Sequence, residues 1–301
     1  MLFTDRVGTP LSFRQQNWFS CNTFSFINQD KKRVWVRFHF VSEQGWKGMS
    51  QAQATSLAGE DPNYLSREMR QAIEKGMYPR WKLCYQVMSE EEGYSKPQLA
   101  FDCTKIWPHA EHPLIEIGVI ELNKFAQDYF TEVEQVAFSP AVVPPGISFS
   151  PDKLLQGRLM FYEVTQHHRL GPNFEQIPIN KPKGVDPNTY SSSLFEGLQP
   201  NPAYLDPPMK TDGAADYYDM PGEGTDADYY AQSREFLKVL TPEDRQSLIG
   251  NLSAALHHVE DRVVTVALSH FNYIDPTFAN AVRESILLLK SGKKVTPGTQ
   301  V

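Results

Sequence analysis

Thirteen of the 22 prolines fall between residues 126 and 232, and this crowding divides the chain into three zones. Proline fixes φ and lacks an N–H, so helix interiors and central strands exclude it. Residues 126–232 therefore read as a long irregular segment, with periodicity only in the helix around Tyr162. Residues 1–125 read as strands with one helical insertion, and residues 233–301 as helical. The fold class is α+β.

Within the first zone, Val34, Val36, Phe38 and Phe40 alternate with Trp35, Arg37, His39 and Val41, the period of a half-buried strand with one apolar face seeking a core. Residues 23–28, the polar turn Asn28–Lys32 and this strand suggest a hairpin. Trp81, Leu83, Tyr85 and Val87 repeat the alternation, and Leu114 to Leu122 is a further apolar strand. Asp61-Pro62 opens a helix carrying Leu65, Met69 and Ile73, closed by Gly76. In the last zone, Thr241-Pro242 starts a helix striped by Leu248, Leu252, Ala255, Leu256 and Val259. Asp275-Pro276 starts another, with Phe278, Val282, Ile286 and Leu289, ending at Gly292.

The chemistry concentrates at Arg158–Arg169. Arg158 and Tyr162 stand four apart and share a helix face; Arg169, seven beyond, falls near the same stripe. A free phenol keeps its proton to about pH 10 and ligates iron poorly. A guanidinium against the oxygen favours the phenolate, which binds ferric iron. The spacing also suits a plain solvated Arg–Tyr face.

Longer runs extend the pattern: Arg33–Phe40, Tyr78–Leu83, Phe101–His109, Tyr129–Gln135, Pro144–Arg158, Arg169–Asn173 and Gln176–Asn180. On these the chain resembles the monofunctional haem catalases over nearly its whole length. The resemblance implies the second half of the family's antiparallel β-barrel, a wrapping segment lying against neighbouring subunits of a homotetramer, and a C-terminal helical region. It implies haem b with Tyr162 on the iron, Arg158 behind it, and Arg169 on a propionate. Asp152 matches a carboxylate in the hydrogen-bond chain behind the ligand, and Phe138 a ring of the haem pocket. Ile106, Trp107 and His109 match a segment touching NADPH, with barrel packing the alternative for Trp107 and His109. Arg6, Asn17, His39, Gln232 and Phe236 are weaker candidates for that site. The implied activity is decomposition of hydrogen peroxide to oxygen and water.

Several positions depart from the family. Its distal His and Asn lie upstream of everything matched here, so the chain reads as N-terminally truncated, the C-terminal three-fifths of a family chain. All eight histidines align elsewhere. The distal base moves a proton between the peroxide oxygens, help worth about 10²–10⁴ in rate. The isolated chain is therefore expected to be weakly active or inactive. The alternative is a non-catalytic haem-binding or oligomer-interaction remnant. Asn22 stands where the family has a His in the proximal chain, which puts proton coupling between Arg158 and Asp152 in doubt. Phe161 replaces a small residue beside the ligand and could crowd the haem or shift the helix register. Met160 replaces a Phe, Val164 an Asp, and Val41 a Lys of the NADPH site.

A net charge of −7 and a pI near 5.6 argue against nucleic acid or an acidic membrane as partner. No apolar run reaches the roughly 18–20 residues of a membrane span. Cys21, Cys84 and Cys103 lack CxxC spacing and read as free thiols in a reducing compartment. No secretory signal follows Met1, and Gly298–Val301 is no peroxisomal tripeptide, leaving a cytoplasmic or peroxisomal location as the expectation. His109 and His112 make an HxxH spacing with no evident third ligand, and His257-His258 reads as an exposed or satisfied pair. The acidic, tyrosine-rich stretch Asp212–Tyr230 is a solvated loop or a metal or partner site.

Overall fold

The structure, a computed structural model, describes residues 3–181, 206–209 and 229–292. Most of Asp212–Tyr230, and the C-terminal Gly298–Val301, lie outside the described residues. The chain divides into two compact units, one of Trp18–Val41 and Lys82–Ala214, the other of Met1–Asn17, Ser42–Trp81 and Ala215–Val301. The zones 1–125, 126–232 and 233–301 do not coincide with these units. Residues before 18 and between 42 and 81 group with the C-terminal helices instead. Asn251 Nδ2 donates to the Phe3 carbonyl and the Asp5 carboxylate, each at 2.8 Å, and Arg6 pairs with Asp244 at 3.0 Å.

The sheet comprises β1 (Trp18–Phe19), β2 (Phe24–Ile27), β3 (Arg33–Ser42), β4 (Arg80–Ser89), β5 (Ile115–Glu121) and β6 (Ile147–Ser148). Its order is β5-β4-β3-β2-β6, with β1 also on β3, an open sheet rather than a closed barrel. β2 and β3 form the expected antiparallel hairpin, Phe24 opposite Val36 and Ile27 opposite Arg33. The turn closes because Asn28 Oδ1 accepts from Lys32 N at 2.8 Å and Lys31 takes a positive φ of 59°. At one end of the sheet, β5 leaves Ile115, Ile117 and Val119 exposed.

Burial falls on both faces of the strands. Trp35, Arg37 and His39 on β3 and Cys84, Gln86 and Met88 on β4 are deeply buried on one face; on the other, Val36 and Trp81 are wholly buried while Phe38, Phe40 and Tyr85 are only half-buried. The reason lies in what covers the sheet: α4 (Glu90–Ser95), α5 (Pro97–Phe101) and the loop to residue 112. Trp35 packs edge-on against Tyr94 and Phe101 with centroids at 5.5 and 5.0 Å. The loop supplies carbonyls to the polar groups: Gln86 Nε2 donates to Trp107 O at 3.1 Å and His112 O at 2.5 Å. Buried polar groups are tolerated when so satisfied. On the half-buried face Phe26 stacks edge-on with Phe38 and Tyr85 at 5.7 and 5.3 Å.

The other unit contains α1 (Asp5–Gly8), two helices where one insertion was expected, and a C-terminal helical layer. The missed helix is α2 (Gln51–Glu60), opened by a Ser50–Gln53 capping box. Next comes α3 (Tyr64–Glu74), which ends before Gly76 at φ 76°. Beyond α6 (Lys153–Leu170) of the sheet unit, the layer is built of α7 (Ala231–Val239), α8 (Pro242–Leu256), α9 (Asp261–Ile274) and α10 (Pro276–Lys290). Thr241 and Asp275 cap α8 and α10, each with proline in the first turn. Leu248, Val264, Leu268, Phe278, Val282 and Ile286 form their core.

Candidate functional site

The strand–helix junction at 147–153 sets the site. β6 pairs with β2, Ser25 opposite Ser148 and Phe26 opposite Ile147. Ser150 Oγ then donates to the Thr23 carbonyl at 2.5 Å, so α6 begins beside residues 22–23. Asp152 caps the helix: its Oδ1 accepts from the backbone of Leu154 at 2.9 Å and Leu155 at 3.2 Å. Asp152 and Asn22 are buried, at 1% and 0% exposure.

From this cap a hydrogen-bond chain runs to the phenol. Asn22 Nδ2 donates to Asp152 Oδ2 at 2.8 Å, and Asn22 Oδ1 accepts from Arg158 Nη1 at 2.5 Å. Arg158 Nη2 donates to Tyr162 Oη at 3.1 Å, and its guanidinium carbon lies 5.1 Å from the centre of the Tyr162 ring. The guanidinium thus lies against the phenol, bonded to its oxygen and over its ring. Asn22 thus keeps the link continuous where proton coupling was in doubt, although an amide has no titratable proton to relay.

Arg169 occupies the last turn of the same helix. Its guanidinium donates to Gln166 Oε1, to the Val136 carbonyl at 2.7 Å and to the Glu134 carbonyl. Gln166, one turn beyond Tyr162, donates to the Phe138 carbonyl at 3.0 Å, so Phe138, 75% exposed, borders this stripe. Phe161 leans back over Gly157, where an added Cβ would meet its ring at 3.4 Å. The helix runs unbroken past it from Lys153 to Leu170.

The NADPH candidates fall in both units, with His39 and His109 ring to ring at 5.8 Å. Trp107 is wholly buried, with its indole N–H on the Leu99 carbonyl at 2.9 Å, so it serves the core. Ile106 and His109 are exposed. His39 is buried, with Nε2 on Gln86 Oε1 at 2.9 Å, and burial pushes its pKa down. Asn17 accepts from Ser42 N at 2.9 Å, Arg6 is paired with Asp244, and Phe236 packs on the helical core; Gln232 lies in α7 of the same unit. His112 is buried with Nδ1 on the Val87 carbonyl, and His257 Nδ1 is on the Ala254 carbonyl, each at 2.8 Å.

Haem suits this donor set. Among the described residues no three His, Cys, Asp or Glu side chains gather to hold a metal ion. A single phenolate is an adequate protein ligand when a porphyrin supplies the other donors. The described partners of Tyr162 and Arg158 are Asn22 and one another, and no histidine joins them. No described helix is long and apolar enough to cross a membrane.

The catalase family model matches residues 1–204, and the catalase-related immune-responsive model matches residues 223–286. Catalase A of Pseudomonas putida is 37% identical over 303 residues, covering 95% of this chain and 62% of that protein. Catalase-2 of Caenorhabditis elegans is 38% identical over 304 residues, covering 95% and 60%. Among solved structures, a fungal catalase aligns with a TM-score of 0.79 at 31% identity, over 96% of this chain and 61% of that one. Catalase A from Saccharomyces cerevisiae aligns with a TM-score of 0.80 at 28% identity, over 95% and 63%. The chain therefore spans about three-fifths of the length of these relatives. With a family model matched across most of its length and a sheet and helices that superpose on solved catalases, this chain belongs to the catalase family.

Proposed function

We propose that the chain carries the iron-ligating half of a haem site that decomposes hydrogen peroxide to oxygen and water. One observation carries this reading: Arg158 donates to the Tyr162 oxygen at 3.1 Å and is itself tied through buried Asn22 to Asp152. Tyr162 would hold the iron of haem b. Arg158 stabilises the ligand's negative charge, and Asn22 and Asp152 hold Arg158 in register. Arg169 supplies a cation near the same stripe; pairing with a propionate requires it to give up a partner such as Gln166. Phe138 offers an apolar edge to the ring. When bound, haem supplies an iron centre able to exchange electrons with peroxide. The homotetramer implied by the resemblance belongs to the same proposal, as does an NADPH contact through exposed Ile106 and His109.

A second reading, haem binding without turnover, is favoured by one observation: the buried link from Tyr162 through Arg158 to Asp152 passes through the Asn22 amide, which has no titratable proton to relay. Loss of general acid–base help costs about 10²–10⁴ in rate.

The test is to titrate the purified 301-residue chain with haemin and compare it with Tyr162→Phe by absorbance and by oxygen evolution. Haem uptake that depends on Tyr162 supports the site. Oxygen evolution that vanishes with Tyr162→Phe supports the enzyme reading. Tyr162-dependent uptake with no oxygen supports the second. Uptake indifferent to Tyr162→Phe removes both.

A further inference from the structure

Two of the three free cysteines are brought together by a clamp that the proximal chain does not use. Cys21 is exposed, Cys103 is partly buried, and Cys84 is buried. Their segments, far apart in sequence, are held by buried Arg37 and Thr23. Thr23 Oγ1 donates to the Ala100 carbonyl at 2.5 Å and accepts from Arg37 Nε at 3.0 Å. The same guanidinium donates to the carbonyls of Asp102 at 3.0 Å, Ala100 at 3.3 Å, and Lys105. Asp102 Oδ1 accepts from Thr104 N at 2.8 Å, which turns the backbone at Cys103. The clamp thereby sets Cys21, two residues before Thr23, beside Cys103, the neighbour of Asp102.

We propose that Cys21 and Cys103 form a dithiol site that reduces hydroperoxides and closes as an intrachain disulfide. Cys21 is the sulfur that peroxide reaches, since it is the exposed one. Its thiolate attacks one peroxide oxygen; the O–O bond breaks, the sulfur becomes a sulfenic acid, and the departing hydroxide takes a proton to leave as water. Cys103 sulfur then attacks the Cys21 sulfur. The S–O bond breaks, and the second hydroxide leaves as water with the Cys103 proton. In sum, two thiols and one hydrogen peroxide give one disulfide and two waters. Cys103 is the protonated partner of the pair and must give up that proton as it attacks. Burial first, then the neighbouring Cys21 and Asp152, push its thiol up to about 11. This site is independent of haem, although Cys21 adjoins Asn22 of the proximal chain.

The experiment uses the reduced 301-residue chain, with no haem added, and an equimolar pulse of hydrogen peroxide. The expected result is the loss of two of the three free thiols, a mass lower by two hydrogen atoms, and a proteolytic peptide pair joining Cys21 to Cys103. Cys103→Ala should trap a dimedone-reactive sulfenic acid on Cys21, while Cys84→Ala should behave as the parent chain. Should Cys103→Ala fail to fold, the peptide map of the parent chain decides alone. Over-oxidation of Cys21 with Cys103 left free, a bridge to Cys84, a bridge between chains, or three unreacted thiols would each overturn the proposal.

Discussion

Asn22 Oδ1 accepts a hydrogen bond from Arg158 Nη1 at 2.5 Å across a sequence separation of 136 residues. Its other end, Nδ2, donates to Asp152 at 2.8 Å, so one amide satisfies a guanidinium and a buried carboxylate together. The carboxylate caps α6 as well, and the helix start and the Arg158–Tyr162 pair are thus set by the same buried pair.

Asn22→Ala should therefore destabilise the sheet unit. It leaves a buried carboxylate oxygen and a guanidinium N–H without their partner, a loss of about 1–3 kcal/mol. Urea unfolding of the parent chain and the variant measures this. An unchanged midpoint would mean that solvent replaces the amide at no cost.

Arg158→Gln should leave α6 intact but weaken haemin binding. A partner behind a metal ligand is typically worth about 10–100-fold in affinity. An absorbance titration gives the constant, and circular dichroism checks the helix. Equal affinities for parent and variant would show that the 3.1 Å contact with Tyr162 does not tune the ligand.

Gly93→Ala should be costly although Gly93 sits at a helix of only six residues. A Cβ there would fall 2.3 Å from the Trp35 ring, and Trp35 is wholly buried between Tyr94 and Phe101. Overpacking of this kind costs about 1–3 kcal/mol. The thermal midpoint should drop, with near-ultraviolet circular dichroism reporting the displaced indole.

His39 should make stability depend on pH. Burial holds its folded pKa below the ordinary value of 6.5, with nearby positive charge from His109 and Arg37 adding, against a hydrogen bond to Gln86. The unfolded chain therefore binds a proton more readily than the folded one. The contribution is present above the ordinary value and is lost as pH falls through the lowered folded pKa. Urea midpoints compared at about pH 7.5 and pH 5 should fall less for His39→Gln than for the parent. Equal slopes would show that His39 charges without penalty.

Local chemistry was legible in the order of residues. The Asn28–Lys32 turn, the Thr241 and Asp275 caps, and the four-residue spacing of Arg158 and Tyr162 all act between near neighbours, so sequence carries them directly. Helices α2, α7 and α9 were harder to read. The stripe of α2 is weak and its signal is the Ser50–Gln53 box, while α7 and α9 carry amphipathic stripes but no side-chain cap to mark their starts.

Alternation along β3 and β4 announced strands but not that the polar-bearing face would be buried as well. Whether Arg37, His39 and Gln86 can be buried depends on carbonyls from residues 100–112, which no periodicity in the strands can anticipate. The role of Asn22 was hidden for the same reason: an amide reads as a lost histidine until Arg158 and Asp152 stand on either side of it. The sequence by itself determined the helices' caps, the strands' period and the Arg–Tyr pair, because those interactions close within a few residues. Tertiary structure alone decided which face is covered, which amide bridges the proximal chain, and which cysteines meet, because each needs a partner brought from a distant part of the chain.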